Sequence, residues 1–153
     1  MNPTPAFSPS MVELENGLVV HAFGEKVVFH LTGEQTGGNL TLWTEFVPPQ
    51  GGPPPHYHRN EDEWFVVQEG SFEFLVDGNW KPLAPGGTLY LPKNAVHTFK
   101  NVGETEGRLL VATSPSGFET FFSQCAEVFQ SPEGPDMGKI VAIAEEHGIH
   151  FMT

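Results

Sequence analysis

Two histidines, His56 and His58, stand two residues apart in the stretch GGPPPHYHRNEDEWFVVQEG, residues 51–70. On a strand, residues at that spacing point to the same side. Glu63 follows at the start of an apolar run. A bend over 59–62 would bring it back beside the two imidazoles. A third imidazole is offered by His97, in GGTLYLPKNAVHTFKN, residues 86–101, after a proline-bearing turn. Neutral imidazole and carboxylate together suit one first-row divalent ion: iron, nickel, manganese, copper or zinc. Pro53, Pro54 and Pro55 stiffen the approach and reduce the entropy lost in organising the ligands. Three histidines and one glutamate leave open positions on an octahedral ion, where water, O2 or a substrate can bind. Glu61 and Asp62 compete with Glu63 by residue type. Only Glu63 lies on the inward face of the strand that starts there, so Glu61 and Asp62 are expected to be solvated loop charges.

These residues need a scaffold, and the rest of the chain describes one. The 153 residues fit one domain of ordinary size, with 17 Gly and 14 Pro and only 17% charged residues. That is turn chemistry, which excludes a coiled coil or long-helix protein. Short runs rich in Val, Phe, Trp and Thr predict strands near 17–23, 26–32, 39–47, 63–69, 71–76, 80–83, 88–91, 96–101 and 108–114. Their turn-bounded spacing predicts an antiparallel sandwich or barrel. After residue 115 the period changes. Phe118, Phe121, Phe122, Cys125, Val128 and Phe129 form one helical stripe, and Ser116 and Glu119 have capping-box spacing before it. A second helix is expected from Asp136, as N-cap, to His147, stopped by Gly148. Both helices are expected to pack outside the β core or on a partner subunit. The boundaries read as a mobile arm over 1–10, a β-barrel over 11–115 and a helical extension over 116–153.

The two histidine stretches resemble the paired motifs of the cupin superfamily. The first family motif, G-x5-H-x-H-x3,4-E-x6-G, is matched by His56, His58, Glu63 and Gly70, with Gly51 one residue too close to His56. The second, G-x5-P-x-G-x2-H-x3-N, is matched by Gly86, Pro92, His97 and Asn101, with Asn94 at the inner glycine. Asn tolerates the left-handed backbone such a turn demands. The intermotif gap, Ser71 to Pro85, is that of short microbial cupins. The resemblance implies an all-β fold, a double-stranded antiparallel β-helix or jelly-roll barrel with C-terminal helices. It also implies one divalent metal ion held by His56, His58, Glu63 and His97 in the barrel mouth. Strand alternation then puts Phe65 and Val67 on the face of Glu63, Phe99 on the face of His97, and either Trp43 or Phe46 on the pocket wall.

The likeness is to small single-domain quercetin-dioxygenase-like proteins. It implies a dioxygenase acting on a small enolic or aromatic, flavonol-like substrate with O2 as co-substrate. Glu63 would serve as ligand and as the catalytic base for the substrate hydroxyl. Two rivals are a non-catalytic small-molecule binder and a sugar or sugar-phosphate isomerase, the latter needing Arg59 for phosphate. A homodimer is expected, with the arm and the C-terminal helices as exchange elements. The net charge of −12 argues against nucleic-acid binding. No apolar run is long enough to span a bilayer, and a cytoplasmic location is expected. His21 and His30, in an early hairpin, are not read as a second metal site. His147 and His150 are read as lying by a helix end and in the tail, and Cys125 as a buried thiol.

Overall fold

The computed structural model describes residues 1–152; Thr153, the last residue of the expected extension, lies outside them. Eleven strands form two antiparallel sheets. They are β1 (Leu18–Ala22), β2 (Glu25–Leu31), β3 (Thr41–Val47), β4 (His56–His58), β5 (Asp62–Glu69), β6 (Phe72–Val76), β7 (Asn79–Leu83), β8 (Thr88–Leu91), β9 (His97–Asn101), β10 (Gly107–Ser114) and β11 (Ile149–Phe151). One sheet runs β1-β2-β3-β10-β5-β8 and the other β11-β4-β9-β6-β7. The helices are α1 (Gly33–Thr36), α2 (Phe118–Phe129) and α3 (Met137–Glu146), with a 3-10 turn at Leu14–Asn16. This is an antiparallel barrel, as the strand pattern predicted, and of the jelly-roll kind that the resemblance implied. Residues 1–10 form no helix or strand and are exposed.

Alternation builds the barrel wall. In β5, Glu63, Phe65 and Val67 point inward between half-buried Trp64 and Val66. In β9, His97, Phe99 and Asn101 are buried and Lys100 is exposed. The inward aromatic residues pack edge to face: Phe65 lies 5.4 Å from Phe74 and 5.7 Å from Phe99, ring centre to ring centre. Asn101 holds the barrel end together. Its Nδ2 donates to the carbonyls of Val47 and Thr105, and its Oδ1 accepts from the Gly103 amide.

Turn chemistry sets the loops around the site. Asn94 takes φ 69°, the left-handed conformation expected of it. The position six residues before His56, where the first motif asks for glycine, is Gln50. Its φ of 67° means that this residue itself makes the left-handed turn. Two residues on, Gly52 has φ 148°, and a Cβ there would stand 1.9 Å from the Phe99 carbonyl oxygen. The loop before β4 therefore lies directly on β9 and fixes how the two histidine strands meet.

The C-terminal third differs from expectation in three ways. First, α2 does more than cover the outside of the β core. Phe118 stacks on Trp43 at 4.5 Å and 3° between planes, and Phe121 and Phe122 pack on Phe23. Second, the N-cap of α2 is Gly117, and Ser116 makes no capping bond. The Glu119 carboxylate instead accepts from the amides of Gly33 and Gly117 and from the Thr41 hydroxyl. Burial would raise its pKa, but these donors outweigh burial and hold the carboxyl below its usual range. Third, the extension ends in a strand. β11 pairs with β4 (Ile149 with His58, Phe151 with His56) and brings the chain end beside the histidines. The second helix begins at its expected cap, with the Asp136 carboxylate accepting from Lys139 N–H, and Gly148 follows it at φ 73°. Cys125 on α2 is fully buried and burial pushes its thiol up to about 12, so it is inert at neutral pH.

Candidate metal centre

β4 and β9 pair at one rung, His56 opposite His97, with ring centres 4.5 Å apart. His58 lies two residues along β4 on the same side, its ring 5.5 Å from that of His97. The three imidazoles offer nitrogen atoms that all lie within 4.8 Å of one another, and all three residues are buried. Glu63 reaches them from β5 on the facing sheet. Its Oε1 lies 3.0 Å from His97 Nε2, and its Oε2 lies 3.6 Å from His58 Nε2. The structure thus brings His56, His58, His97 and Glu63 together.

The outer ring nitrogens orient the set. His56 Nδ1–H donates to the Pro54 carbonyl at 2.9 Å and His97 Nδ1–H to the Ala95 carbonyl at 2.9 Å. Both bonds fix the tautomer that leaves Nε2 free for a cation. His58 has the Glu61 carboxylate 3.4 Å from its Nδ1, within ion-pair range but without hydrogen-bond geometry. Its Nε2 is buried with no hydrogen-bond partner. An orphaned Nε2 beside two oriented ones and a carboxylate is what a divalent ion would satisfy, so these residues fit a metal.

Glu61 was expected to be a solvated loop charge and is not: it is 7% exposed, because the bend after β4 turns its side chain inward toward His58. Asp62 does face outward, its Oδ1 accepting from the Lys93 amide. Glu61→Gln is expected to weaken metal binding about ten-fold by loosening His58, which a competition titration against a chelator would read. An unchanged affinity would remove Glu61 from the account.

Electrostatics favours the ligand-competent forms of His56 and Glu63. Burial and the neighbouring His97 and His58 push His56 down to about 3, so it is neutral at physiological pH. Burial would raise Glu63, but His58, the His97 hydrogen bond and His56 outweigh it and hold the carboxyl at about 2. His58 is opposed by burial yet raised by Glu63 and Glu61, so it keeps its proton to higher pH than an ordinary histidine. A proton on His58 competes with the ion. Metal affinity is expected to fall as pH drops through the raised His58 value, and Glu61→Gln should move that fall to lower pH.

The site opens into a cavity lined by Glu63, His56, Phe65, Phe99, Trp43 and the α2 phenylalanines 118, 121 and 122. Phe23, Glu25, Glu45, Pro53, Ile149 and Phe151 complete the wall. Its volume is about 50 Å³ counted as space open to water centres, room for a few waters. Phe65, Phe99 and Trp43 stand where strand alternation expected pocket walls. Phe46 does not: the pairing of β3 with β10 turns Trp43 inward, and Phe46 faces an outer groove under Lys26. Val67 is buried in the core but does not line the cavity, since it lies a rung beyond Phe65. Neither Arg59 nor Arg108 reaches the lining. His21 pairs opposite Lys26 and His30 bonds Thr44, so they form no second cluster.

Residues 43–113, which contain all four candidate ligands, match the cupin domain family. The chain carries a cupin domain over those residues. Polyketide synthase CurC of Streptomyces cyaneus is 38% identical over 60 residues, 39% of this cupin and 39% of that protein. Quercetin 2,3-dioxygenase of Bacillus subtilis (strain 168) is 25% identical over 134 residues, 78% of this cupin and 39% of that protein. The matches thus span well under two thirds of these curated relatives. Among solved structures, KdgF from Halomonas sp. superposes with a TM-score of 0.65 at 18% identity, covering 74% of this cupin and 99% of that chain, a likeness of fold. No helix among the described residues is long and apolar enough to cross a membrane.

Proposed function

We propose that this cupin is a metal-dependent dioxygenase acting on a small enolic or aromatic substrate. The observation that carries this reading is the convergence of His56, His58, His97 and Glu63, with His56 and Glu63 on the wall of an aromatic cavity. The 134-residue likeness to a quercetin dioxygenase supports it. A redox-active divalent ion, when bound, would supply Lewis acidity toward an enolate oxygen and an electron route to O2. The chain's own part is binding and proton handling. The aromatic walls clamp a flat ligand and exclude water. Glu63, held ionised, would accept the enol proton on its carboxylate. The small cavity favours a diketone or a single ring over a flavonol, and either requires the α2 phenylalanines to give way, a flavonol the more so.

The lining contains no Lys or Arg, so a phosphate would enter without a counter-charge, and nothing in the cavity favours the sugar-phosphate reading. The deciding experiment is oxygen uptake by protein loaded in turn with iron, nickel, manganese and copper. Acetylacetone, monocyclic phenols and flavonols are the substrates. Uptake of one O2 per substrate, lost in Glu63→Gln, is expected. No uptake with any metal and substrate, while the ligands still bind, would replace the reading with a non-catalytic binder. We also propose a homodimer in which the arm over 1–10 exchanges; sedimentation of the full chain and of a truncation lacking those residues would test it.

A further inference from the structure

The cavity has a second polar wall that the metal centre does not use. Glu25 and Glu45 line it beside Trp43, and their side chains are only 4% and 6% exposed. Val27 pairs with Glu45 across β2 and β3, so Glu25 is a diagonal neighbour of Glu45 on the same sheet face. The two carboxyls are neighbours on this wall, and Trp43 Nε1–H donates to Glu45 Oε2 at 3.1 Å. Burial, then the proximity of Glu45, pushes Glu25 well above the carboxylate range, and burial raises Glu45 as well. Two carboxyls so placed hold one proton between them, since both cannot ionise in contact.

This wall is distinct from the histidine end. On the six-stranded sheet three rungs run side by side: Thr41–Thr113–Glu63, Trp43–Val111–Phe65 and Glu45–Leu109–Val67. The aromatic Trp43–Phe65 rung therefore separates the two carboxylate positions. With no Lys or Arg in the lining, the Glu25–Glu45 pair is no half of a salt bridge. An acid pair on an apolar wall offers one O–H donor and adjacent acceptor oxygens, which is the complement of a hydroxyl or a carbonyl. That something polar enters this cavity is indicated at its other end, where His56, only 8% exposed, lines the wall and is bonded within the protein through Nδ1 alone.

We infer that Glu25 and Glu45 bind the second oxygen function of a neutral, ring-bearing ligand whose first, enolic or phenolic oxygen faces His56, His58 and His97. The inference rests on the enolic-ligand part of the proposed function and adds where the far end of that ligand is held. It makes the substrate class a neutral aromatic oxygenated at two positions, and it rejects carboxylates and phosphates, which the acid pair repels.

The test is a calorimetric comparison on the full chain loaded with zinc, which does not turn over O2. The probes are phenol, catechol, resorcinol and hydroquinone. At least one dihydroxybenzene is expected to bind about ten-fold tighter than phenol, as one hydrogen bond to a charged group allows. In the double variant Glu25→Leu/Glu45→Leu that preference should fall to about two-fold or less, with zinc content and phenol binding retained. A preference that survives in the double variant, or no dihydroxybenzene preferred by the wild type, would overturn the inference. Should the variant not fold, the wild type decides alone: methylating one hydroxyl of the preferred probe must abolish the gain, and a gain that persists counts against the pair. Failure of the oxygenase reading shows separately, as absent oxygen uptake with redox-active metals, and leaves this comparison standing.

Discussion

Replacing His97 with alanine is expected to lower divalent-metal affinity by more than about a hundred-fold, taking the protein from about one ion per chain to a trace. The size follows from what His97 does. It offers a pre-oriented Nε2, fixed by the Ala95 carbonyl, and it holds Glu63 at 3.0 Å. Removing a ligand costs more than loosening one, for which ten- to a hundred-fold is typical. The cavity left at a fully buried position also weakens the contact of β9 with β4, so circular dichroism must accompany the metal titration. A folded His97→Ala protein with wild-type affinity would mean that the ion, if held, is held elsewhere.

The second large effect is expected at a residue with no chemistry of its own. Gly52→Ala should destabilise the fold by about 2–4 kcal/mol, from backbone strain at φ 148° added to a collision with the Phe99 carbonyl. The loop must then lift from β9, which separates His56 from His97. Metal affinity should fall along with the thermal midpoint. Chemical denaturation reads the first effect and a chelator competition the second. Gly78→Ala is the control: φ is also positive there, but no atom lies within 4 Å of the added carbon, so it should cost less and leave the metal untouched. Equal stability losses in the two variants would show that the contact with Phe99 carries no weight.

The metal centre was legible because its residues sit on strands with clean alternation. In β5 and β9 the inward positions read as Glu63–Phe65–Val67 and His97–Phe99–Asn101, and chain pairing had only to bring those faces together. What could not be read depended on long-range geometry. Trp43 and Phe46 point to opposite faces of one strand, and only the register of β3 against β10 selects Trp43. β11 is three residues long and gains its partner from β4, nearly a hundred positions earlier, so its local pattern carries no strand signal. Glu61 looked like one more charge in an acidic loop, and its burial follows from the path of the bend after β4.

Glu25 and Glu45 did leave a trace in the sequence. On a strand ending in Val27 and Phe29, or one carrying Trp43 and Val47, a glutamate at the same parity faces the core. Glu25 was masked by the neighbouring turn glycine, Gly24, and Glu45 by Thr44 and Phe46, which flank it on the opposite face of the strand. A charged residue on the inward parity of a predicted strand is costly to bury, and for that reason it is a signal for a site. The α2 stripe had the opposite problem. Its period was plain, but whether phenylalanines cover a barrel or line its mouth depends on where the helix docks. Stacking of Phe118 on Trp43 decides for the mouth.

The account rests on a divalent ion held by His56, His58, His97 and Glu63. Elemental mass spectrometry of the untagged, dialysed protein tests that most directly. About one iron, nickel, manganese, copper or zinc ion per chain, absent from His97→Ala prepared in parallel, is the expected result. No metal in the wild type, even after reconstitution with each ion, would contradict the central claim and leave the four residues as a buried hydrogen-bonded cluster.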